Sequence, residues 1–437
     1  MIVLLKIVDV CTRVEGHGNV KILVHNDEIS NVEFDIEVFR GFENFLIGKN
    51  LMDIPKITSR ICGLCYASQT IASCKAIENI YDIDISKQSI LLRRLLLIGE
   101  LIKSHCMHFF FQSLPDLFQI FDFNRKFLSP YDLIKYDPDL TTYIYELIKI
   151  GTEVERGFGG RSVHLITPIP GGVIYLPSRK NISIVRKYFQ KALINLELMI
   201  EKFIDLFSNQ VPPKEYNLPN IMYMALNNLN KFDRYEGSMK IKVNETNIIE
   251  FQEKNYVKYF NKEVDLRGID FHFNKDKMIL VGPIARFKII DNYGIDNINT
   301  YIEFFDKSWQ NSILYSNILR LMEMYFEIQK GLEMLEDPVL NTRIMPPSFK
   351  PVKNSEGMGV IEAPRGTLLH HYSLGENGLP KEIKIFIPTE INIPIINEMM
   401  IRYAQEIYDK TGDINFVKKR VQTIVRAFDP CIACAAH

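Results

Sequence analysis

Four of the seven cysteines in this 437-residue chain stand in two Cys-x-x-Cys pairs, Arg60-Ile-Cys62-Gly-Leu-Cys65 and Asp429-Pro-Cys431-Ile-Ala-Cys434. A three-residue step lets both sulfurs of a pair face one point, so two converging pairs would set four soft thiolates around one metal ion. The pairs lie 365 residues apart, whereas a zinc ribbon usually closes over about 15–20 residues. A structural zinc site and a redox disulfide within one pair both stay open on spacing alone. An odd, low cysteine count speaks against a secreted disulfide framework. The second pair ends the sequence in Cys434-Ala-Ala-His437, and a frayed tail could not hold a metal. Pro430 fixes its own φ and disfavours a helical approach, so the preceding helix is expected to stop near Phe428 with the tail buried behind it.

The elements that would position these residues can be read from periodicity. Residues 1–40 alternate apolar and polar around an Asn26-Asp27 turn, as in Val32-Glu-Phe-Asp-Ile-Glu-Val38, and read as strands. Long helical patterns follow at 67–120, 139–157, 180–209, 299–336 and 396–427, while 359–390 reads as strands. The expected class is α+β, predominantly α, with a long-helix core and small β-containing segments. Length gives a soft prior of about three domains of roughly 150 residues. With no linker or repeat visible, one interlaced unit over 1–437 is favoured: 1–50 mainly strands, 51–209 helical, 210–298 mixed, and 299–437 helical with strands and the cysteine tail. Phe109, Phe110 and Phe111 read as core.

Composition removes several function classes. With 52 Lys+Arg against 53 Asp+Glu, the formal charge of −1 argues against a nucleic-acid binder, and 47% hydrophobic with 24% charged residues is globular. The longest stretch free of Asp, Glu, Lys and Arg, Ser162–Ser178, carries three prolines and a Gly-Gly step, so a transmembrane segment is not expected. The apolar opening is cut by Lys6 and Asp9 and lacks a secretory h-region, which makes a cytoplasmic chain the default, export with a signal-bearing partner aside.

Further motifs keep company with the cysteines: Arg13-Val-Glu15-Gly-His17-Gly, Phe39-Arg40-Gly-Phe-Glu43, Gly159-Gly-Arg161-Ser-Val-His164, Val281-Gly-Pro283-Ile-Ala-Arg286, Glu362-Ala-Pro364-Arg365-Gly366 and Pro388-Thr-Glu-Ile-Asn392-Ile-Pro394. In this order, along nearly the whole chain, they resemble the large, catalytic subunit of nickel-iron hydrogenases. A related subunit of respiratory complex I lacks the cysteine pairs, so their presence favours the hydrogenase. The resemblance implies a nickel held by all four thiolates, with Cys62 and Cys431 terminal and Cys65 and Cys434 bridging to an iron. Carbon monoxide and cyanide, installed by maturation proteins, would complete that iron. The implied reaction interconverts dihydrogen with two protons and two electrons. Cys431 would take the proton and Glu15 would relay it; the plain alternative has Glu15 pairing with Arg13. Arg365 would hang over the open metal position, held by Asp116 and Asp429, with Pro364, Gln69 and His164 beside the cofactor. Glu43 and His437 would bind a separate hard cation, magnesium or similar, that anchors the tail; oxygen ligands suit such an ion better than imidazole, so waters and a carbonyl should complete it.

One position departs from the pattern. Four residues after Cys65 the family commonly has His, and here stands Gln69, which can donate a hydrogen bond to a bridging sulfur but cannot carry a proton. Gln at this place belongs to the cytosolic uptake and hydrogen-sensing branch, so a low-turnover sensor is the alternative to an enzyme. The remaining Cys11, Cys74 and Cys106 are too few and too scattered for an all-thiolate iron–sulfur cluster. Electrons must then leave through another chain, by resemblance an iron–sulfur small subunit, and further subunits would choose a nicotinamide, deazaflavin, ferredoxin or quinone acceptor. Family precursors often extend beyond the last His, so His437 suggests either a processed form or a gene without an extension.

Overall fold

The computed structural model describes residues 4–26, 28–36, 40–122, 129–265, 268–272, 278–290, 293–342 and 354–437. Strand Leu4–Val10 pairs antiparallel with Asn19–His25, which pairs antiparallel with Glu28–Asp35. Alternation explains the sheet: Val20, Ile22 and Val24 are buried in one core face with Val32 and Phe34. Strands were expected throughout 1–40, but residues 11–18 leave the sheet. They form a loop closed by the Cys11 N–H donating to the Gly18 carbonyl at 2.9 Å, and the Glu15 motif lies in it. Asp27 of the expected turn and Phe39 of the Phe39–Glu43 motif fall outside the described residues.

The helical expectation over 67–120 resolves into several pieces. Helix Tyr66–Tyr81 stops at Asp82, which takes a left-handed φ of 52°, and Ser86 caps the next helix, Lys87–Cys106. A π-helical turn, Met107–Ser113, then leads into Leu114–Ile120. The 299–336 pattern is likewise Asp296–Glu303, Lys307–Gln310 and Tyr315–Glu336, with Asp306 capping the middle piece. The 139–157 and 180–209 patterns correspond to single helices, Pro138–Gly159 and Arg179–Phe207.

The last helical pattern begins earlier than expected. Pro388 occupies the first turn and the Glu390 carboxylate accepts the Ile387 N–H at 3.2 Å, so Pro388–Thr411 is helical although 388–390 had read as strand. Gly412, at φ 61°, ends it, and Asp413 caps Ile414–Ala427.

Strands Glu356–Ala363, Gly366–Leu374 and Pro380–Phe386 form an antiparallel sheet lying on helix Tyr66–Tyr81. The approach is backbone to backbone: a Cβ at Gly359 would stand 2.0 Å from the Ala72 carbonyl. The tip of the first hairpin presents Pro364 and Arg365. The larger buried core draws on residues from Cys11 to Cys434, and a smaller one gathers Met222, Met224, Ile241 and Ile279 with Met358, Val360 and Phe386. Phe109 and Phe110 are buried in the larger core and Phe111 packs at its edge. Among the described residues no helix is long and apolar enough to cross a membrane.

Candidate metal centre

Each cysteine pair sits where a helix begins. Cys65 precedes helix Tyr66–Tyr81, whose first turn is fixed by the buried Glu100 carboxylate accepting the Ala67 and Ser68 N–H groups at 2.7 and 3.1 Å. The Leu64 and Cys65 N–H groups point instead at the Cys62 sulfur, at 3.2 and 3.3 Å. At the other end, helix Ile414–Ala427 stops with Phe428 as its cap, as expected from Pro430. Asp429 then turns the chain with a left-handed φ of 55°, and Cys431 opens the short helix Ile432–Ala435. The Cys431 N–H donates to Thr389 Oγ1 at 2.9 Å. The Glu15 loop lies against this tail, the Ile432 N–H donating to the Glu15 carbonyl at 2.9 Å. Gly16, at φ 89°, allows that approach, since a Cβ there would meet the Ala433 nitrogen at 2.9 Å.

The four sulfurs of Cys62, Cys65, Cys431 and Cys434 all lie within 4.8 Å of one another, every one buried and none in a disulfide. Two thiolates sharing one ion at about 2.3 Å stand no more than about 4.6 Å apart, so sulfurs gathered this closely need only small side-chain adjustments to share one metal. Cys62 and Cys431 approach to 3.3 Å, Cys65 and Cys434 to 2.9 Å, and Cys431 and Cys434 to 2.8 Å. The thiols share protons unequally. Hydrogen bonds from Cys431, Cys434 and Cys65 pull Cys62 well below the ordinary thiol range, whereas burial pushes Cys431 and Cys434 up. A soft cation in their midst would displace the protons that burial keeps on Cys431 and Cys434.

Two further groups flank the sulfurs. Glu15 Oε2 stands 2.9 Å from the Cys431 sulfur and accepts the Ala433 N–H at 3.3 Å; burial, then the Cys62 thiolate, raises its pKa. Arg13 is turned away from it, so the plain Glu15–Arg13 pairing is not what forms. Arg365 donates through Nε to the Asp429 carbonyl at 2.8 Å and carboxylate at 3.1 Å, and its Nη2 lies 2.9 Å from Asp429 Oδ1. Burial opposes its charge, but Asp429 and the Cys431 and Cys62 sulfurs more than offset it. Its Nη1 is buried without a hydrogen-bond partner among the described residues, a donor left for something in the cavity.

Asp116 does not hold Arg365. Its carboxylate is bidentate to Arg426, at 2.6 and 3.0 Å, and lies 2.5 Å from Arg13. Those two arginines flank the Glu15 loop and the helix feeding Cys431, and they saturate the carboxylate, leaving Asp429 to pair with Arg365.

A small, mostly apolar cavity opens beside Cys65, Cys431 and Cys434, walled by Ala363, Pro364, Leu368, Ile387 and Pro388 and carrying Gln69, Arg365 and Thr389. Pro364, Arg365 and Gln69 thus meet at the sulfurs. His164 stands further out, half-buried, its Nδ1 2.8 Å from the Ser59 carbonyl and its ring 5.5 Å from Tyr66.

His437 is fully buried. Its Nε2 lies 3.3 Å from Glu43 Oε1 and its Nδ1 3.4 Å from Glu390 Oε1, while Nδ1 is also 2.8 Å from the Cys434 carbonyl. Glu390 is thus a third member of this group that sequence reasoning missed, although it lay in the Pro388–Pro394 motif. Also missed were Thr389, His370 beside Gln69, and Arg40, whose guanidinium reaches the Ile61 carbonyl at 2.5 Å and also the Ala433 carbonyl. Arg40 therefore ties both cysteine segments together.

The family described as nickel-dependent hydrogenase matches residues 40–126 and 273–437, which include both cysteine pairs. The matching subunit of the F420-non-reducing hydrogenase of Methanothermobacter marburgensis is 31% identical over 98% of this chain and 93% of its own. The beta subunit of the NAD-reducing hydrogenase of Cupriavidus necator is 27% identical over 99% and 94%. The fold is that of an NAD+-reducing nickel-iron hydrogenase in its H2-reduced state, with a TM-score of 0.91 at 24% identity, covering 100% of this chain and 99% of that one.

Proposed function

Because this chain belongs to the nickel-dependent hydrogenase family, we propose that its four sulfurs form the dihydrogen-splitting site of a catalytic large subunit, with Cys431 and Glu15 receiving the proton. The chain is an oxidoreductase acting on hydrogen. One observation carries the site reading: four buried thiols converge on one point, and a carboxylate stands 2.9 Å from one of them. A closed structural zinc site would have no use for that acid–base partner or for the guanidinium and cavity beside it.

Nickel fits the four thiolates, with Cys62 and Cys431 terminal. Cys65 and Cys434 would be the thiolates shared with an iron, which carbon monoxide and cyanide would complete. The cavity, which opens beside Cys65, Cys431 and Cys434, leaves room for a second metal and its ligands on that side of the sulfurs. Its apolar walls suit small uncharged ligands, and Arg365 Nη1 offers a donor to them. When bound, the metal pair supplies the soft, electron-accepting position at which dihydrogen is polarised and gives up its electrons.

The chain's own groups handle the proton. Sulfur of Cys431 takes it first and Glu15 Oε2 receives it over 2.9 Å. Burial, then the Cys62 thiolate, raises the Glu15 pKa above that of an exposed carboxylate, which favours proton uptake at this carboxylate. Gly16 and His17 beside it are exposed, which gives a short way to water. Asp429 fixes the Arg365 fork over the sulfurs. Glu43, Glu390 and His437 would hold a hard cation such as magnesium, which would pin the tail.

Electrons pass to an iron–sulfur small subunit, and further electron-transfer subunits set the acceptor. Cys11, Cys74 and Cys106, the cysteines outside the four-sulfur group, are scattered through the sequence, which supports an exit through another chain. The surface over the first pair suits an apolar partner: Val163, Ile166 and Ile174 are 44, 41 and 50% exposed next to Ser162, whose carbonyl accepts from Tyr66. Maturation proteins load the metals, in a cytoplasmic setting. The test is metal analysis with an infrared spectrum of the purified complex. One nickel per chain with bands of metal-bound carbon monoxide and cyanide is expected, and zinc without such bands would overturn the reading.

A further inference from the structure

Gln69 replaces the histidine expected four residues after Cys65, and the structure gives it a partner. Its Oε1 lies 2.8 Å from His370 Nε2, His370 Nδ1 lies 2.6 Å from Tyr372 Oη, and Tyr372 Oη lies 2.9 Å from Ser73 Oγ. All four side chains are buried. The match is built by two periodicities. Gln69 and Ser73 are one turn apart on helix Tyr66–Tyr81, while His370 and Tyr372 share a face of strand Gly366–Leu374, so 69 meets 370 and 73 meets 372.

The chemistry fixes the direction of this chain of bonds. Gln69 stands one turn beyond Cys65 on the same helix and lines the cavity with Cys65 and Cys434. An amide beside anionic sulfur turns its NH2 end towards it and its oxygen away. The oxygen then needs a donor, which is His370 Nε2–H. On the far side of the ring, Nδ1 is held 2.6 Å from Tyr372 Oη, and the Tyr372 hydroxyl, which burial keeps protonated, donates onward to Ser73 Oγ. A reversed amide would face the sulfur with its carbonyl oxygen. A histidine at position 69 could meet the sulfur with either ring nitrogen, whereas an amide has one donor end and one acceptor end and must be oriented by a neighbour.

We propose that His370, backed by Tyr372, is a positioning residue that sets the Gln69 amide so that its NH2 group donates to the Cys65 sulfur. The role of this brace is electronic: the donated hydrogen bond withdraws charge from a bridging thiolate and hence from the iron that shares it. The inference rests on the nickel-iron reading above, and the experiment separates the two.

The measurement is the carbon monoxide stretching band of the purified complex, with nickel per chain recorded on each sample. Gln69→Ala removes the donor, leaves the iron richer in electrons and shifts the band to lower frequency. His370→Phe shifts it in the same direction, and adds no further shift in the Gln69→Ala background. If His370→Phe fails to take up nickel, Tyr372→Phe replaces it, with a smaller shift in the same direction that also vanishes in the Gln69→Ala background. An unmoved band in a nickel-loaded brace variant, or an equal shift in both backgrounds, overturns the proposal. A wild-type complex without any such band overturns the nickel-iron reading instead.

Discussion

Replacing Asp116 by Asn tests what this carboxylate holds. The substitution keeps the shape and removes the charge that Arg426 and Arg13 share, at 2.6 and 2.5 Å. Both Asp116 and Arg426 have side chains only 5% exposed. Removing one partner of such a buried pair costs about 3–5 kcal/mol, and Arg13, at 22% exposure, adds little because water screens it. A melting entropy of about 2.1 cal/mol/K per residue gives roughly 0.9 kcal/mol/K for this chain, so the thermal midpoint should drop by about 4 °C. The functional effect follows from what the arginines touch. Arg13 stands two residues before Glu15 and donates to the Gln112 carbonyl at 2.7 Å, while Arg426 lies on the helix leading to Cys431 and reaches the Thr12 carbonyl at 3.2 Å. Loosening them lengthens the Glu15–Cys431 contact, so exchange between D2 and water should slow more than nickel content falls. Because Asp116 does not touch Arg365, Asp116→Asn and Asp429→Asn should be additive in the exchange rate. A midpoint within about 1 °C of wild type, or strong coupling between those two substitutions, would refute this account and restore Asp116 to the Arg365 side.

Glu15→Gln keeps the Ala433 hydrogen bond but cannot accept a proton; dye reduction under hydrogen should fall by about 10²–10⁴ at unchanged nickel content, and a loss below threefold would remove Glu15 from the route. Arg365→Lys keeps the charge but not the fork on Asp429, and turnover should fall by about 10²–10³, read by the same dye assay. His437→Ala frees the tail from Glu43 and Glu390, so nickel per chain should drop, which metal analysis of the purified complex reads. Burial lowers His105 and His108 from an ordinary 6.5 to about 4 and about 3. Their unfolded forms therefore bind more protons, so the stability they contribute is complete above pH 6.5 and lost as pH falls towards 4 and 3. Calorimetry between neutral pH and pH 4.5 should show the midpoint falling, with a shallower slope in His108→Phe.

Legibility in the sequence followed how local each constraint is. Both cysteine pairs, the stop at Phe428 and the uninterrupted helices at 138–159 and 179–207 could be read because spacing, proline geometry and a 3.6-residue period act within a few turns. The breaks at Asp82 and Gly412 were hidden because apolar periodicity resumes on the far side of each. Asp116 illustrates the harder loss. Several buried arginines occur in this chain, and nothing local says which of them a given carboxylate meets. Glu390 was hidden because its chain neighbours read as a strand, where it would have pointed elsewhere. His370 gave no signal at all, since its meaning arises only when a strand of period two is laid along a helix.

The same distinction explains how a site can rest on pairs 365 residues apart. Bringing four thiols to within 4.8 Å is unfavourable without a metal, because any thiolate charge is buried and crowded. The chain offsets this with ties that do not involve sulfur. Arg40 donates to carbonyls of both segments, Thr389 accepts the Cys431 N–H, Asp429 grips Arg365 on the hairpin tip, and Asp116 joins the Glu15 loop to the last long helix. Each tie spans elements distant in sequence, and most use a charge-assisted bond that tolerates little displacement. Glu15 and the Arg365 guanidinium are therefore positioned by the protein itself, and under the proposed reading a metal would need only to claim sulfurs already gathered. That arrangement sets Glu15 and the cavity against the same Cys431 sulfur, with Cys65 and Cys434 on the cavity side alone, so a substitution at Gln69 perturbs the cavity without touching the Glu15 contact.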